Sequence, residues 1–178
     1  MNCVCGAKNK DSVKEILAKR VAEMVANNPS KATGAMAAEL EASEMDVIRC
    51  LPETMVKEVP KGRFDEIVEE VSTWGTLTVI VQNESTIMEV KAPFPKGTYG
   101  HGYYNLKSNS TPIGGHIKAS ELSAIFFVSK PFMGLESHSI QFFNGNGNAM
   151  FKLYLARDEK RQILTEQMEK FANLKNRL

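Results

Sequence analysis

The sequence has few cysteines, and their number and placement exclude several structural roles. There are only three, Cys3, Cys5 and Cys50, an odd number that does not suit a disulfide framework, so reduced thiols are expected. Cys3 and Cys5 form a C-x-C pair, but no second cysteine or histidine pair follows at zinc-like spacing. A structural zinc is therefore not expected, and the role of Cys3 and Cys5 stays open.

Long apolar runs and a net charge are also missing. No apolar stretch approaches the roughly 18 residues of a membrane-spanning helix, and the opening MNCVCGAKNK lacks the hydrophobic segment of a secretory signal. Twenty-two basic residues oppose 21 acidic ones, for a formal charge of +1, so no global field attracts nucleic acid or an anionic membrane. These absences predict a cytoplasmic protein that chooses its partners through a local site, with no membrane or nucleic-acid partner.

Motifs of common catalytic sites are absent as well. The chain contains no G-x-S-x-G, and Ser137 and His138 are neighbours on a predicted strand, where they point to opposite faces and cannot act as nucleophile and base. Several glutamates follow helical surface patterns, which solvated helix faces explain better than paired acid and base roles: Glu39, Glu41, Glu69 and Glu70. The sequence therefore predicts no enzymatic activity and no catalytic residue.

What is present suits one domain over residues 1–178. With 43% hydrophobic residues, a chain of 178 residues can bury ~70% of the surface of its unfolded form. Residues 1–10 are predicted to be a flexible tail, and residues 11–52 a helical subregion. Its helices are expected to begin at Ser12, where Glu15 completes a capping box, after Ser30, and at Ser43, capped together with Asp46.

The second and third of these helices resemble a helix-turn-helix, which raises a DNA-binding regulator as an alternative function. A recognition helix presents its first residues to bases and phosphates, but this one would offer Glu44 and Asp46, with Arg49 as its only basic residue. No basic stripe accompanies the motif, so a small helical packing module is favoured.

Beyond Met55 the hydrophobic period changes and predicts a mostly antiparallel sheet. A short helix over residues 64–71 and a closing helix capped by Asp158 are expected beside it. Strands are expected over residues 55–59, 77–81, 87–90, 97–106, 115–118, 124–129, 139–143 and 149–156. The fold class is thus α+β, with amino-terminal helices, a large antiparallel sheet and a carboxy-terminal helix.

The segment KAPFPKGTYGHGYYN, residues 91–105, is the most informative part of the sequence. If residues 97–106 form one strand, Tyr99, His101 and Tyr103 share one face, with Gly100 and Gly102 on the other. Such a face could hold a flat aromatic ligand. The alternative is an aromatic strand packed on the core, with the glycines relieving a bend, and the pattern by itself leaves both open.

Five ordered blocks give the chain a recognisable resemblance: KAPFPKG, GYYN, GGHIK, VSKPFMGLESH and AMFKLYLARDEKR. Over about residues 30–171 the sequence resembles the ChuX/HutX family of bacterial cytosolic haem-utilisation proteins. The resemblance implies a homodimer whose subunits each look like half of the larger HemS/ChuS proteins, with haem b in an open apolar cleft. It also implies a haem carrier that delivers haem to a cytosolic haem-degrading enzyme. The alternative is a haem-degrading enzyme of the HemS/ChuS type.

The same resemblance implies which residues hold haem. The ligating tyrosine of the family corresponds to Tyr103 in this sequence, and His116 is the alternative axial ligand. Ferric iron is a hard cation and stabilises a phenolate ligand. Tyr104 is expected in the core or a dimer contact. His101 is expected beside haem as a local addition to the family pattern, where it either competes for iron or hydrates the rim of the cleft. Tyr99 is a further expected contact because of the predicted shared strand face. The other contacts expected near haem are the propionate-binding lysines Lys91, Lys96, Lys118 and Lys130 and the apolar residues Phe94, Phe132, Met133 and Phe142.

Overall fold

The computed structural model describes the backbone of residues 5–178 and the side chains from residue 12 onward. Helix α1 spans Cys5–Asn27, α2 Thr33–Leu40, α3 Glu44–Arg49, α4 Phe64–Val71 and α5 Thr165–Arg177. The strands are β1 Val56–Val59, β2 Thr76–Gln82, β3 Ile87–Pro93, β4 Gly97–Gly100, β5 Tyr103–Leu106, β6 Gly115–Ile117, β7 Leu122–Ser129, β8 His138–Asn144 and β9 Ala149–Tyr154. Among these helices none has the length and apolarity needed to cross a membrane.

Two of the predicted helix starts are wrong. Helix α1 begins at Cys5, so Ser12 lies inside it and is not its N-cap, because the preceding proline-free residues continue the helix. Of the predicted tail, residues 1–4, including Cys3, lie outside the described part of the chain, as does the side chain of Cys5. Asp158 does not cap α5; its side chain accepts the backbone N–H of Gln162 and closes a local turn, and α5 begins at Thr165.

The predicted cap of α3 is confirmed, and this helix packs inward. Ser43 Oγ accepts the backbone N–H of Asp46 at 3.1 Å. The buried residues of α3 pack with those of α1 and α2 against one face of the sheet, where Phe126 and Phe143 are also buried. A helix used in this way supports the sheet, which favours the packing module over a recognition helix. The buried side chains of α3 are Glu44, Met45, Val47 and Ile48.

Six strands form the predicted large antiparallel sheet, in the order β1-β7-β8-β9-β2-β3, and β4, β5 and β6 form a second sheet of three strands. The opposite face of the large sheet packs on α4 and α5. Phe142 stacks on Phe151 with ring centroids 4.2 Å apart, and Phe151 also stacks on Phe94 at 5.6 Å. Phe94 and Phe142, which were expected to line an open cleft, therefore belong to the core, since apolar rings on this face are covered by the helices.

Residues 97–106 form a hairpin of β4 and β5 instead of the single predicted strand. The chain reverses at His101 and Gly102, whose φ angles of 53° and 83° belong to a two-residue turn that suits glycine. Tyr99 pairs with Tyr104, and Gly100 pairs with Tyr103. Residues directly opposite each other share a face, so Tyr99 shares a face with Tyr104. Tyr103 is the neighbour of Tyr104 in β5 and therefore lies on the other face. The prediction that Tyr99, His101 and Tyr103 share one face is wrong.

Gly97 is required by the close approach of the Tyr104 ring. Its backbone N–H donates to Tyr104 Oη at 2.8 Å, and a Cβ at this position would lie 2.3 Å from Tyr104 Cε1. We expect Gly97→Ala to lower the free energy of unfolding by about 1–3 kcal/mol through overpacking. Urea unfolding checks this, with Gly62→Ala as control because no atom lies within 4 Å of a Cβ there. Equal stabilities of the two variants would contradict the packing argument.

Candidate functional site

The outer face of the three-stranded sheet brings Tyr103 and His116 together. Asn105 on β5 pairs with His116 on β6, and Tyr103 lies two residues before Asn105, so the three side chains share one face. The rings of Tyr103 and His116 are 6.0 Å apart between centroids, at an interplanar angle of 66°. Both residues are exposed, Tyr103 to 40%. The two predicted iron ligands are thus neighbours on an open surface, which we call the tyrosine–histidine face.

Asn105 orients the imidazole of His116. Its amide nitrogen donates to the carbonyl oxygens of Gly100 at 3.0 Å and Tyr103 at 3.2 Å, which fixes the orientation of the amide. The amide oxygen lies 2.6 Å from His116 Nδ1 and can only accept, so Nδ1 carries the proton. In the neutral imidazole Nε2 then keeps its lone pair for a metal or a proton. Sequence analysis missed this role of Asn105, although its spacing of two residues from Tyr103 indicated a shared face.

Of the predicted propionate-binding lysines, Lys118 directly follows β6 and lies two residues after His116. Its ammonium group forms a salt bridge with Glu121 at 3.1 Å. The hydrogen bond and the charge of Glu121 raise the pKa of Lys118, and the negative charge of an ionised Tyr103 would act in the same direction. Lys118 is therefore an exposed cation beside this face, and a propionate would have to share it with Glu121.

Tyr99 and Tyr104 lie on the opposite face of the small sheet, away from Tyr103. Tyr99 Oη donates to Asp65 Oδ1 at 2.6 Å, and burial together with this carboxylate raises the pKa of Tyr99 to about 12. Tyr104 is buried against Phe64, as the core alternative predicted. Neither phenol is placed to bind a ligand together with Tyr103, so the expected contribution of Tyr99 is not supported by this geometry.

The remaining predicted contacts near haem are dispersed. His101 is exposed at the turn of the β4–β5 hairpin. Lys96 forms a salt bridge with Glu69 of α4 at 3.1 Å. Met133, with a φ of 50°, lies exposed in a tight turn of its own. Within the described residues, none of these three side chains contacts Tyr103 or His116 through a hydrogen bond, an ion pair or a ring contact.

A separate cleft of about 1500 Å³ lies on the face of the large sheet that α1–α3 leave partly uncovered. Lys91 and Phe132 line it, but Tyr103 and His116 do not. Lys130 is buried at its edge, where its ammonium donates to the carbonyl oxygens of Pro29 at 2.7 Å and Lys31 at 2.5 Å. Burial lowers the pKa of Lys130, and these bonds occupy it, so the expectation that Lys130 meets a propionate is not met.

The floor of this cleft holds a buried ion pair that sequence analysis also missed. Lys152 Nζ lies 2.7 Å from Glu44 Oε1, with side chains exposed to only 5% and 9%. Thr33 Oγ1 donates to the same carboxylate oxygen at 2.6 Å. A lysine and a glutamate 108 residues apart give no sequence pattern, so only the fold reveals that helix α3 and strand β9 are joined by this pair.

Fold and site together define an α+β protein whose tyrosine and histidine lie on an open sheet surface. The family model described as haem utilisation ChuX/HutX matches residues 57–174, and the chain belongs to this family. The intracellular heme transport protein HutX of Vibrio cholerae serotype O1 is 43% identical over 157 residues, covering 88% of this chain and 81% of that protein. The sequence-based recognition of the family is thereby confirmed.

Solved structures confirm the predicted fold class. A structure of the heme binding protein ChuX is similar with a TM-score of 0.80 and 34% identity, covering 88% of this chain and 97% of that one. The heme degrading enzyme ChuS of Escherichia coli O157:H7 shares the fold at a TM-score of 0.66 and 15% identity. The match covers 79% of this chain but 42% of ChuS, so this chain corresponds in fold to about half of that larger protein.

Proposed function

We propose that this protein is an intracellular haem carrier that binds haem b as cargo and passes it to a cytosolic haem-degrading enzyme. Membership of the ChuX/HutX family and the names of its relatives support this function. The observation that carries it is the exposed pair of Tyr103 and His116, 6.0 Å apart on one sheet face. Both side chains are known types of axial ligand for haem iron.

In this proposal Tyr103 is the axial ligand. A ferric ion is a hard cation and favours a phenolate oxygen, although a free tyrosine has a pKa near ~10 and must lose its proton to bind. The lone pair of His116 Nε2, made available by the Nδ1 bond to Asn105, can accept that proton. His116 then assists binding and is the alternative ligand when Tyr103 is absent.

The open position of the face suits a carrier. Lys118 provides a cation for one propionate, but an exposed charge of this kind orients a ligand more than it holds it. Apolar contact must supply most of the affinity, and an open face covers only one side of a porphyrin. Haem held by one phenolate on such a surface can be released to a partner. The cytoplasmic location and the homodimer implied by the resemblance are part of this proposal.

Transfer of intact haem tests the carrier function. We expect the haemin-loaded protein, mixed with an excess of apomyoglobin, to lose haem until the Soret band is that of myoglobin, with total haem unchanged. We also expect the Soret band of the loaded protein to persist under NADPH, a reductase, oxygen and catalase. Loss of the band with formation of a linear tetrapyrrole would instead identify a haem-degrading enzyme of the ChuS type, and failure to bind haemin would overturn the proposal.

A further inference from the structure

The turn between β8 and β9 contains two Asn-Gly steps, since residues 144–148 read NGNGN. In such a step the backbone nitrogen of glycine can attack the side-chain amide carbon of the preceding asparagine. Glycine favours this attack because it has no side chain to hinder the ring closure. This closure is the first stage of asparagine deamidation. The sequence alone does not distinguish the two steps, but the structure does.

At the first step the attacking nitrogen is unrestrained. Gly145 is exposed, and its backbone N–H donates to no group within residues 12–178. Such an N–H can give its proton to water and attack without first breaking a hydrogen bond within the protein. The nucleophile that Asn144 needs is therefore available in the folded chain.

The side-chain amide of Asn144 is held by two backbone donors. Its Oδ1 accepts the N–H of Asn146 at 3.0 Å and the N–H of Asn148 at 3.0 Å. When the nitrogen of Gly145 attacks Cγ of Asn144, negative charge develops on this oxygen. Backbone N–H groups that are already in place stabilise such an oxyanion. The turn thus supplies both the nucleophile and the stabilising donors for reaction at Asn144.

The second step, Asn146-Gly147, is restrained by packing. The N–H of Gly147 donates to the backbone carbonyl of Asn144 at 3.0 Å, and the carbonyl of Gly147 accepts the N–H of Met45 at 3.4 Å. Gly147 is buried, and a Cβ at this position would lie 2.5 Å from the Cβ of Ser43. Attack by this nitrogen requires breaking its hydrogen bond and moving the backbone away from α3. Asn146 should therefore react more slowly than Asn144.

We propose that Asn144 is a site of spontaneous deamidation in the folded protein. The N–H of Gly145 loses its proton to water, and the nitrogen forms a bond to Cγ of Asn144. The bond between Cγ and Nδ2 then breaks, ammonia leaves, and a cyclic succinimide remains. Water adds to either carbonyl of this ring and opens it to aspartate or isoaspartate. The net reaction consumes one water and releases one ammonia, and it needs no oxidant and no cofactor.

Isoaspartate at position 144 would change the packing of the turn on α3. Its main chain runs through Cβ, so the turn becomes longer by one methylene group. Gly147 packs closely on Ser43, the N-cap of α3, and the longer turn should loosen this contact. Gly147 and Glu44 both line the cleft, so the change reaches the cleft wall. The modification goes beyond the proposed function, since it uses no residue of the tyrosine–histidine face.

Peptide mapping by mass spectrometry tests the site directly. The folded full-length protein is incubated at mildly alkaline pH and sampled over time. We expect Asn144 to convert to aspartate and isoaspartate about tenfold or more faster than Asn146, because its reacting groups are already in position. A protein-isoaspartate methyltransferase with labelled methyl donor should label the same peptide. Equal rates, faster conversion of Asn146, or no conversion of either residue would overturn the proposal.

Gly145→Ala is the matched control. No atom lies within 4 Å of a Cβ at this position, and the φ angle of Gly145 lies outside the left-handed region, so the variant should fold normally. The added methyl group hinders attack by this nitrogen, and we expect conversion of Asn144 to slow about tenfold while that of Asn146 is unchanged. Conversion at the original rate would exclude Gly145 as the nucleophile.

Unfolding the chain separates the contribution of the fold from that of the sequence. In guanidinium chloride the turn contacts are lost, and we expect Asn144 and Asn146 to convert at similar rates, since each precedes a glycine. A preference for Asn144 that is equally large in the unfolded chain would show that the turn geometry does not cause it, and the proposal would be wrong.

Discussion

Replacing Tyr103 by phenylalanine is expected to abolish the charge-transfer absorption of tyrosinate-ligated ferric haem and to weaken haemin binding at least about tenfold, or ~1.4 kcal/mol. The variant keeps the ring and its contact with His116 but removes the oxygen that would bind iron. Because the side chain is exposed on an open face, the loss should arise from ligation and not from unfolding. Absorption spectra during haemin titration measure both effects.

Tyr99→Phe is the matched control for this experiment. Tyr99 belongs to the same hairpin and is 60% exposed, but it lies on the opposite face and is bonded to Asp65. We expect its spectra and affinity to match the unchanged protein, and His116→Ala to retain the charge-transfer bands. If His116→Ala alone erases them, histidine is the ligand and the assignment of Tyr103 is wrong.

The second large effect concerns stability, because Lys152→Met would leave Glu44 buried without its counterion. The two charged groups lie 2.7 Å apart in the cleft floor. Removing one partner of a buried ion pair costs about 3–5 kcal/mol, since the remaining charge keeps its desolvation penalty. We expect a loss of this size in the free energy of unfolding, measured by urea denaturation at neutral pH.

A double variant separates the loss of the pair from the loss of packing. Replacing both residues, as Glu44→Gln with Lys152→Met, removes both charges and should recover most of the stability. An exposed pair gives a further comparison: Lys170 and Glu166 lie one helical turn apart on α5, and Lys170→Met should change stability by less than about 1 kcal/mol. If Lys152→Met lowered the free energy of unfolding by as little as Lys170→Met, the ion pair would contribute little to holding α3 on the sheet.

Local patterns predicted most elements of the fold, because period and capping depend on residues close in sequence. The Ser43 cap, the amphipathic helix α4 and the β2–β3 hairpin were predicted and are present. The errors also have local causes. Alternation of glycine and aromatic residues over residues 97–106 fits a strand, but the same glycines permit the reversal at His101 and Gly102.

For the candidate site, the sequence predicted the two candidate ligands but not the residues that orient them. Tyr103 and His116 came from the resemblance, and the pairing of β5 with β6 brings them together. Asn105 acts through a bond to a residue 11 positions away, which no spacing rule predicts. The lysines expected around one haem belong instead to different surfaces, because proximity in sequence to a motif does not determine which face of a sheet a side chain occupies.

By itself, the sequence determined the α+β class, the helical amino-terminal subregion and the family, since these follow from hydrophobic period, caps and ordered blocks. Only the tertiary structure decided which tyrosine is exposed beside a histidine, which lysines are buried, and that Glu44 meets Lys152. These outcomes depend on strand register and on contacts between residues far apart in the chain. Register is set by the packing of the whole core. A hairpin in place of a single strand puts Tyr99 and Tyr103 on opposite faces of the sheet.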